Sequence, residues 1–247
     1  MTRPEVVVRP DAGSLARAVA EELVTRLAAA QATHGSASVV LTGGGVGTAV
    51  LEQVAAVAGA DVDWSAVDVW WGDERFVPAD DDDRNEGAAR RALLDVVGVP
   101  PARVHAMPPS DGAFAEPEDA AAWYAGELAA AAAPGRDLPR FDVLLLGIGP
   151  EGHTASIFPE SAAAQDERPV FAVRDCPKPP PIRVSLGFSA INTADEVWLV
   201  VAGEEKAPSV ARALGGATPV ELPAAGVRGR RATRWWLDAA AAGELPG

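Results

Sequence analysis

A histidine stands in a glycine-rich segment that directly follows an apolar run. Residues 141–159 read FDVLLLGIGPEGHTASIFP, in which His153 comes two residues after Glu151 and just before Thr154 and Ser156. Imidazole titrates near neutral pH, so it can take a proton from water and return it to a leaving group. We therefore expect His153 to be catalytic, with a purely structural histidine as the alternative.

A second glycine-rich segment, residues 42–47, reads TGGGVG and lies between a predicted strand and a predicted helix. It lacks the Gly-Lys-Ser/Thr ending of a nucleotide-binding P-loop, so triphosphate binding is not expected. Backbone N–H groups at a helix N-terminus nevertheless favour phosphate or another small anion. The alternative is a tight turn that binds nothing.

Two further segments place charged side chains just after predicted strands. Asp73 and Arg75 belong to the sequence WGDERFVP, and Lys206 is one of only two lysines in the chain. An anionic substrate needs a local cationic pocket in so acidic a protein, and Arg75 with Lys206 would supply it. Solvated surface side chains are the alternative at each position.

The glycines of the histidine segment also match the dinucleotide pattern G-x-G-x-x-G, at Gly147, Gly149 and Gly152. That pattern requires a helix to open at the third glycine, so that the helix N-terminus can hold a pyrophosphate. Pro159 interrupts the segment about two turns later. We therefore do not expect a dinucleotide cofactor.

Composition limits the classes of partner. The 247-residue chain carries a net charge of −14, and its one basic cluster is residues 228–231, so neither nucleic acid nor an anionic membrane is an expected partner. With Cys176 as the only cysteine, no signal-like apolar start and no membrane-length apolar segment, we expect a cytoplasmic location. The three histidines have no metal-ligand spacing, so no metal is expected.

The elements that must position these residues alternate along the chain. The predicted strands are 5–8, 38–41, Val67–Trp71, 141–146, 182–186, 196–202 and 233–237. The predicted helices are 14–30, 48–58, 85–97, 118–133, 204–214 and an alanine-rich segment after the last strand. This order predicts one α/β domain spanning 1–247, with a mainly parallel sheet covered on both faces. The loops after 41, 71 and 146 should then meet at the carboxyl edge of the sheet.

Four segments together resemble the 6-phosphogluconolactonase family. They are LTGG at 41–44, WGDERFVP at 71–78, GIGPEGHTASIFP at 147–159 and GEEKA at 203–207. The resemblance covers nearly the whole chain and keeps the order and spacing of the motifs. It implies hydrolysis of 6-phospho-D-glucono-1,5-lactone to 6-phosphogluconate in the oxidative pentose phosphate pathway. It also implies a three-layer α/β/α Rossmann-like fold, shared with glucosamine-6-phosphate deaminase and ribose-5-phosphate isomerase.

The resemblance also implies roles for individual residues. His153 and Asp73 map onto the family's active site, and Arg75 and Lys206 onto its substrate phosphate. The remaining positions of the implied binding set are Thr42, Gly43, Gly44, Gly149, Glu151 and Arg183. A sugar-phosphate lactone is the expected small-molecule partner, no cofactor is expected, and we predict a monomer.

The chain departs from the family pattern at two places. Glu151 stands where the family usually has aspartate, and residues 45–48 read GVGT where a serine is usual. The first change keeps an acid, whereas the second removes a hydroxyl. We therefore expect anion binding by the backbone of Gly43 and Gly44 rather than by a side chain of this loop.

Two other functions remain open from the sequence. An amino-sugar phosphate deaminase or isomerase would use the same fold and would need a base that moves a proton between adjacent carbons. A non-catalytic sugar-phosphate sensor would keep the pocket without turnover. Retention of both Asp73 and His153 favours an enzyme over a sensor.

Overall fold

The computed structural model describes residues 3–59 and 61–246. The strands are β1 (Glu5–Arg9), β2 (Ala37–Leu41), β3 (Val67–Trp71), β4 (Asp73–Arg75), β5 (Val143–Leu146), β6 (Val170–Val173), β7 (Arg183–Leu186), β8 (Glu196–Val201) and β9 (Ala232–Asp238). The α-helices are α1 (Ala12–His34), α2 (Gly44–Val57), α3 (Asn85–Ala89), α4 (Asp95–Val97), α5 (Pro117–Ala130), α6 (Phe188–Ile191) and α7 (Ala207–Leu214). A π-helical turn, Arg90–Leu94, joins α3 to α4.

Six strands form a parallel sheet in the order β1-β9-β8-β5-β2-β3. The predicted mainly parallel sheet is thus confirmed, and β3 has the predicted bounds. The order along the chain reverses direction next to β5, because β2 lies on one side of it and β8 on the other. Ligands of open α/β sheets bind beyond the carboxyl ends of strands at such a reversal.

Alternate residues of the central strands face two separate apolar cores. Leu144 and Leu146 of β5 pack into the core that also contains Tyr124 of α5. Val143 and Leu145 pack into the opposite core, which contains Leu23 of α1. Because both faces of β5 are covered, all four of its residues are buried, and the fold has three layers.

The longest helix, α1, shows how local sequence sets an element's ends. The carboxylate of Asp11 accepts a 2.7 Å hydrogen bond from the Ser14 backbone N–H and caps the helix. Gly35 ends it in the left-handed region, with φ of 80°. Across residues 3–59 and 61–246, no helix is long and apolar enough to cross a membrane.

A small antiparallel sheet, β4-β7-β6, was not predicted as a separate unit. β4 has only three residues, too few for periodicity to distinguish it from a loop. The pairing places Asp73 opposite Ser185 and Arg75 opposite Arg183. β7, which comes much later in the chain, therefore lies beside the WGDER segment and contributes Arg183 and Ser185.

The predicted alanine-rich helix after the last strand is wrong. Residues 239–244 form successive turns. The carboxylate of Asp238 accepts hydrogen bonds from the backbone N–H groups of Ala241 and Gly203. These contacts bend the chain at the end of β9, and such local side-chain bonds compete with helix formation.

Candidate active site

A cavity of ≈ 150 Å³ lies where the chain leaves β2, β3 and β5. Its lining comprises Thr42, Gly43, Gly44, Asp73, Arg75, Asn85, Gly147, Ile148, His153, Ala155 and Arg183. Seven of these residues belong to the site predicted from the sequence. Larger surface cavities of ≈ 560 and ≈ 710 Å³ lie elsewhere, and neither is lined by Asp73 or His153.

Asp73 is held at the cavity wall by three neighbours. Its Oδ2 accepts a 2.6 Å hydrogen bond from the Ser156 hydroxyl, and a guanidinium nitrogen of Arg183 lies 3.6 Å from the same oxygen. The Asn85 side-chain amide donates a 2.9 Å hydrogen bond to the Asp73 carbonyl oxygen. The Asp73 side chain, only 10% exposed, therefore has a fixed position.

Glu74 organises the same loop from beneath. Its carboxylate accepts hydrogen bonds from the backbone N–H groups of Arg75, Asn85 and Glu86, at 2.7–2.8 Å. Burial raises the pKa of Glu74, although the nearby Arg84 guanidinium and these N–H donors act in the opposite direction. The side chain thus caps α3 and sets the position of Asn85. Glu74 belongs to the WGDERFVP segment, but no role was predicted for it from the sequence.

His153 is fixed by contacts on its edge and on its face. Its Nδ1 lies 2.8 Å from Oε1 of Glu151, and its ring stacks on Phe158 at 4.4 Å between centroids. An ionised carboxylate only accepts hydrogen bonds, so Nδ1 carries the proton toward Glu151. Nε2 of the neutral ring then keeps a lone pair, as a general base requires.

The pKa shifts of this pair favour neutral imidazole beside an ionised carboxylate. Burial lowers the pKa of His153, and Lys178 adds to that effect, while Glu151 and Asp73 raise it less. Burial alone would raise the pKa of Glu151. The backbone N–H of Glu151, the Lys178 ammonium and His153 outweigh burial and hold that pKa below its usual value.

Gly149 lies against the His153–Glu151 pair rather than in the cavity wall. A Cβ atom at this position would lie 2.1 Å from Nδ1 of His153 and 2.4 Å from Oε2 of Glu151. Its backbone N–H donates to the His153 carbonyl oxygen at 3.1 Å, closing the turn. Only glycine therefore fits beside the pair without displacing it.

The first glycine loop also depends on close packing. α2 begins at Gly44, four residues before the predicted start, so residues 44–47 form its first turn. A Cβ atom on Gly43 would lie 1.8 Å from Oδ1 of Asn85. The N–H groups of a helix's first turn have no acceptor within the helix. These donors border the cavity where the sequence predicted anion binding.

Arg75 and Arg183 bring positive charge to the lining. Arg75 donates one hydrogen bond to the backbone carbonyl of Asp83, and its buried Nε has no hydrogen-bond partner among the described residues. Two nitrogens of Arg183 donate to the carbonyl oxygens of Lys178, Pro179 and Pro180, at 3.0–3.2 Å, and the third faces Asp73. Arg75 is thus the better placed of the two to contact an anion.

Lys206 and Glu151 lie outside the cavity lining. Lys206 ends a short 3₁₀ turn, Glu204–Lys206, and its nearest acidic partner is Glu205 at 3.8 Å. Burial lowers the pKa of Lys206, and Lys178 contributes in the same direction. The phosphate role of Lys206 stays a prediction, whereas Glu151 contacts the His153 ring instead of the cavity.

Three residues that contact the site were not predicted from the sequence. They are Asn85, Lys178 and Ser156. Asn85 begins a helix that was predicted, yet nothing in its local sequence indicates that the helix returns to Gly43. Lys178 is the only residue other than proline in 177–181, which marks a charge held on a stiff loop. Ser156 lies near His153 in the sequence, and its hydroxyl was the one sequence feature that could have indicated a hydrogen-bond donor to Asp73.

The dinucleotide alternative finds no support in the local geometry. The chain forms turns rather than a helix after Gly152, so the dinucleotide pattern lacks its structural context. Within residues 3–59 and 61–246, no group of three or more His, Cys, Asp or Glu side chains could hold a metal ion.

Comparison with solved structures supports the fold. A 6-phosphogluconolactonase from Thermotoga maritima superposes with a TM-score of 0.83, at 28% sequence identity, over 95% of this chain and 99% of that one. The enzyme from Trypanosoma brucei gives 0.82 at 28% identity, with full coverage of both chains. A monomeric glucosamine-6-phosphate deaminase gives 0.80 at 17% identity, which supports the fold alone.

Sequence comparisons extend over the whole chain. The 6-phosphogluconolactonase of Streptomyces coelicolor is 52% identical, covering 98% of this chain and 95% of that protein. Its counterpart in Mycobacterium tuberculosis is 51% identical, with 98% of each chain covered. The family model described as glucosamine-6-phosphate isomerases/6-phosphogluconolactonase matches residues 10–236. With the convergent Asp73 and His153 loops, these matches place the chain in the glucosamine-6-phosphate isomerase/6-phosphogluconolactonase family.

Proposed function

We propose that this protein is a 6-phosphogluconolactonase that hydrolyses 6-phospho-D-glucono-1,5-lactone to 6-phospho-D-gluconate in the oxidative pentose phosphate pathway. The observation that carries the proposal is a single cavity lined by His153, Asp73 and Arg75, with Glu151 holding the His153 ring from outside the lining. Relatives at about half identity that are named 6-phosphogluconolactonase support the same substrate.

In the first step, His153 acts as general base. Nε2 takes a proton from water as the water oxygen attacks the lactone carbonyl carbon, which gives a tetrahedral oxyanion and an imidazolium. Burial favours the neutral ring before this step, and Glu151 stabilises the positive charge that forms. The backbone N–H groups at the start of α2 are the donors we assign to the oxyanion.

In the second step, the tetrahedral intermediate collapses. The bond between the carbonyl carbon and the ring oxygen breaks, and the imidazolium of His153 returns its proton to that oxygen. The product is an open-chain hydroxy acid, which ionises at neutral pH. Every proton is accounted for by water and His153, so the proposed route calls for neither a covalent intermediate nor a metal.

Asp73 and Arg75 are proposed to position the substrate. Ser156 and Arg183 hold the Asp73 carboxylate at the cavity wall, where it would accept a hydrogen bond from a sugar hydroxyl. The Arg75 guanidinium, which lines the cavity, would donate to the phosphate, with Lys206, outside the lining, as a second cation. Fixing both ends of the sugar places its carbonyl next to His153.

A coupled assay tests the proposal. Glucose-6-phosphate dehydrogenase generates the δ-lactone, and its decay is followed with purified protein that has been treated with chelator. We expect decay well above the buffer control, and equal decay in both samples would rule the proposal out. Ammonia release from glucosamine 6-phosphate would instead indicate the deaminase activity that the family also includes.

A further inference from the structure

We propose that Lys178 is a positioning residue that holds the Glu151 carboxylate against His153 and balances its charge during proton transfer. The inference rests on the proposed lactone hydrolysis, in which His153 must begin each turnover as neutral imidazole. Neither the family motifs nor the cavity lining assigns Lys178 a role. Its contacts place it directly behind the catalytic pair.

Lys178 contacts both oxygens of one carboxylate. Its Nζ lies 2.9 Å from Oε1 and 3.1 Å from Oε2 of Glu151, and Oε1 is also 2.8 Å from Nδ1 of His153. Exposure falls along this chain of contacts, from 43% for the lysine side chain to 34% for the glutamate and 19% for the histidine. The ammonium therefore faces solvent, while the imidazole faces the site.

The loop that carries Lys178 is fixed at its backbone. The Arg183 guanidinium donates hydrogen bonds to the carbonyl oxygens of Lys178, Pro179 and Pro180. Prolines on both sides of Lys178 restrict the backbone further. Arg183 also lies 3.6 Å from Asp73, so one side chain links the Lys178 loop to the opposite wall of the site. A flexible surface lysine would have no such support.

Burial is the main cause of the lowered pKa of His153, and a nearby cation adds to it. A carboxylate beside an imidazole favours the imidazolium, and an imidazolium cannot accept a proton from water. Glu151 and Asp73 both act in this direction on His153. Lys178 has the opposite effect and lowers the pKa of His153. The charges of Glu151 and Lys178 also affect the pKa of Lys206. Lys178 thus adds to burial in keeping the ring neutral while Glu151 orients it.

The test compares Lys178→Met with Lys178→Arg, which restores the charge, and with Arg174→Met as a control. Arg174 is an exposed cation paired with Glu116 and Glu118. Two measurements are made between about pH 5 and 8. The first is kcat and KM for the lactone, and the second is NMR titration of His153. The chain has only three histidines, so spectra of His153→Asn assign the signal.

For Lys178→Met we expect the His153 titration and the acidic limb of kcat/KM to move together to higher pH. Each pH unit of this movement lowers kcat/KM on the acidic limb about tenfold, whereas the plateau at higher pH is much less affected. Lys178→Arg should reverse most of the movement, and Arg174→Met should cause none.

Two results would overturn the inference. One is an unmoved His153 titration with a lower rate at every pH, which a merely structural lysine would produce. The other is an unmoved titration with a raised KM alone, which would make Lys178 a substrate contact. If the wild-type protein failed to hydrolyse the lactone, the proposed function would fall, and the NMR titration would still decide whether Lys178 balances the pair.

Discussion

The hydroxyl of Ser156 donates a 2.6 Å hydrogen bond to Oδ2 of Asp73, and both side chains are buried. This bond joins the loop after β5 to β4, so the two segments with the most specific motifs are in direct contact. Movement of one loop would move the other. The position of the proposed substrate-binding carboxylate therefore depends on a residue of the histidine segment.

Replacing Ser156 with alanine should weaken both stability and activity. The change leaves a buried carboxylate oxygen without its hydroxyl donor, which we expect to cost about 1–3 kcal/mol of unfolding free energy. Urea denaturation measures that loss, and the lactone assay should give a lower kcat/KM. Ser161→Ala serves as a control, because that hydroxyl donates only to the Phe158 carbonyl in the same loop. Equal effects of both variants on kcat/KM would contradict the account.

Gly149→Ala should damage catalysis more than folding. The new Cβ atom would overlap both His153 and Glu151, so the pair must move, and a shift of about 1 Å can cost about 10²-fold in rate. We expect kcat to fall by about that factor while the unfolding transition changes little. Gly126→Ala, in α5 with open space around the glycine, should leave kcat unchanged. A wild-type kcat in Gly149→Ala would show that the pair does not need its present position.

Glu151→Gln should move the pH profile in the opposite direction from Lys178→Met. Glu151 raises the pKa of His153, so its removal lets that pKa fall further, and the acidic limb of kcat/KM moves to lower pH. The plateau should fall by about 10- to 100-fold, because the ring is less firmly oriented. Glu151→Asp restores the acid that is usual in the family and should move the limb back. If the acidic limb of kcat/KM did not move in Glu151→Gln, the electrostatic coupling between Glu151 and His153 would be refuted.

Arg75→Met should impair binding of the phosphorylated lactone selectively. Losing a hydrogen bond to a charged group costs about 1.5–3 kcal/mol, or about 10- to 100-fold in kcat/KM. Unphosphorylated glucono-1,5-lactone lacks that contact and should react with a nearly unchanged kcat/KM. Arg17→Met, which removes an exposed cation paired with Glu21, is the matched control.

The same pair of substrates tests Lys206. If Lys206→Met reproduces the selective loss of Arg75→Met, the phosphate reaches both cations, as the sequence predicted. Equal losses on both lactones in either variant would argue that the cation acts on the site generally rather than on phosphate.

The parts of the site that the sequence predicted share one physical origin. Buried parallel strands read as continuous apolar runs, and their carboxyl ends meet at one edge of the sheet. Val67–Trp71 was located without error for this reason, and Asp73 and His153 converge because each follows such a strand. Local pattern and topology were sufficient for this result.

The remaining parts depend on contacts that no local pattern encodes. Asn85 lies against Gly43, and Arg183 reaches Asp73 across the pairing of β4 with β7, although these residues are far apart in the sequence. The wrongly predicted terminal helix has the same explanation. Alanine content favours a helix there, but the hydrogen bonds that Asp238 accepts favour turns.

Neutral His153 is proposed to accept the proton from water. The most direct test of this proposal is the lactone hydrolysis rate of His153→Asn against wild type, with circular dichroism and urea unfolding confirming that the variant is folded. General base catalysis is worth about 10²–10⁴-fold, so we predict a loss of that size with KM little changed. A folded His153→Asn protein that hydrolyses the lactone at the wild-type rate would contradict the account.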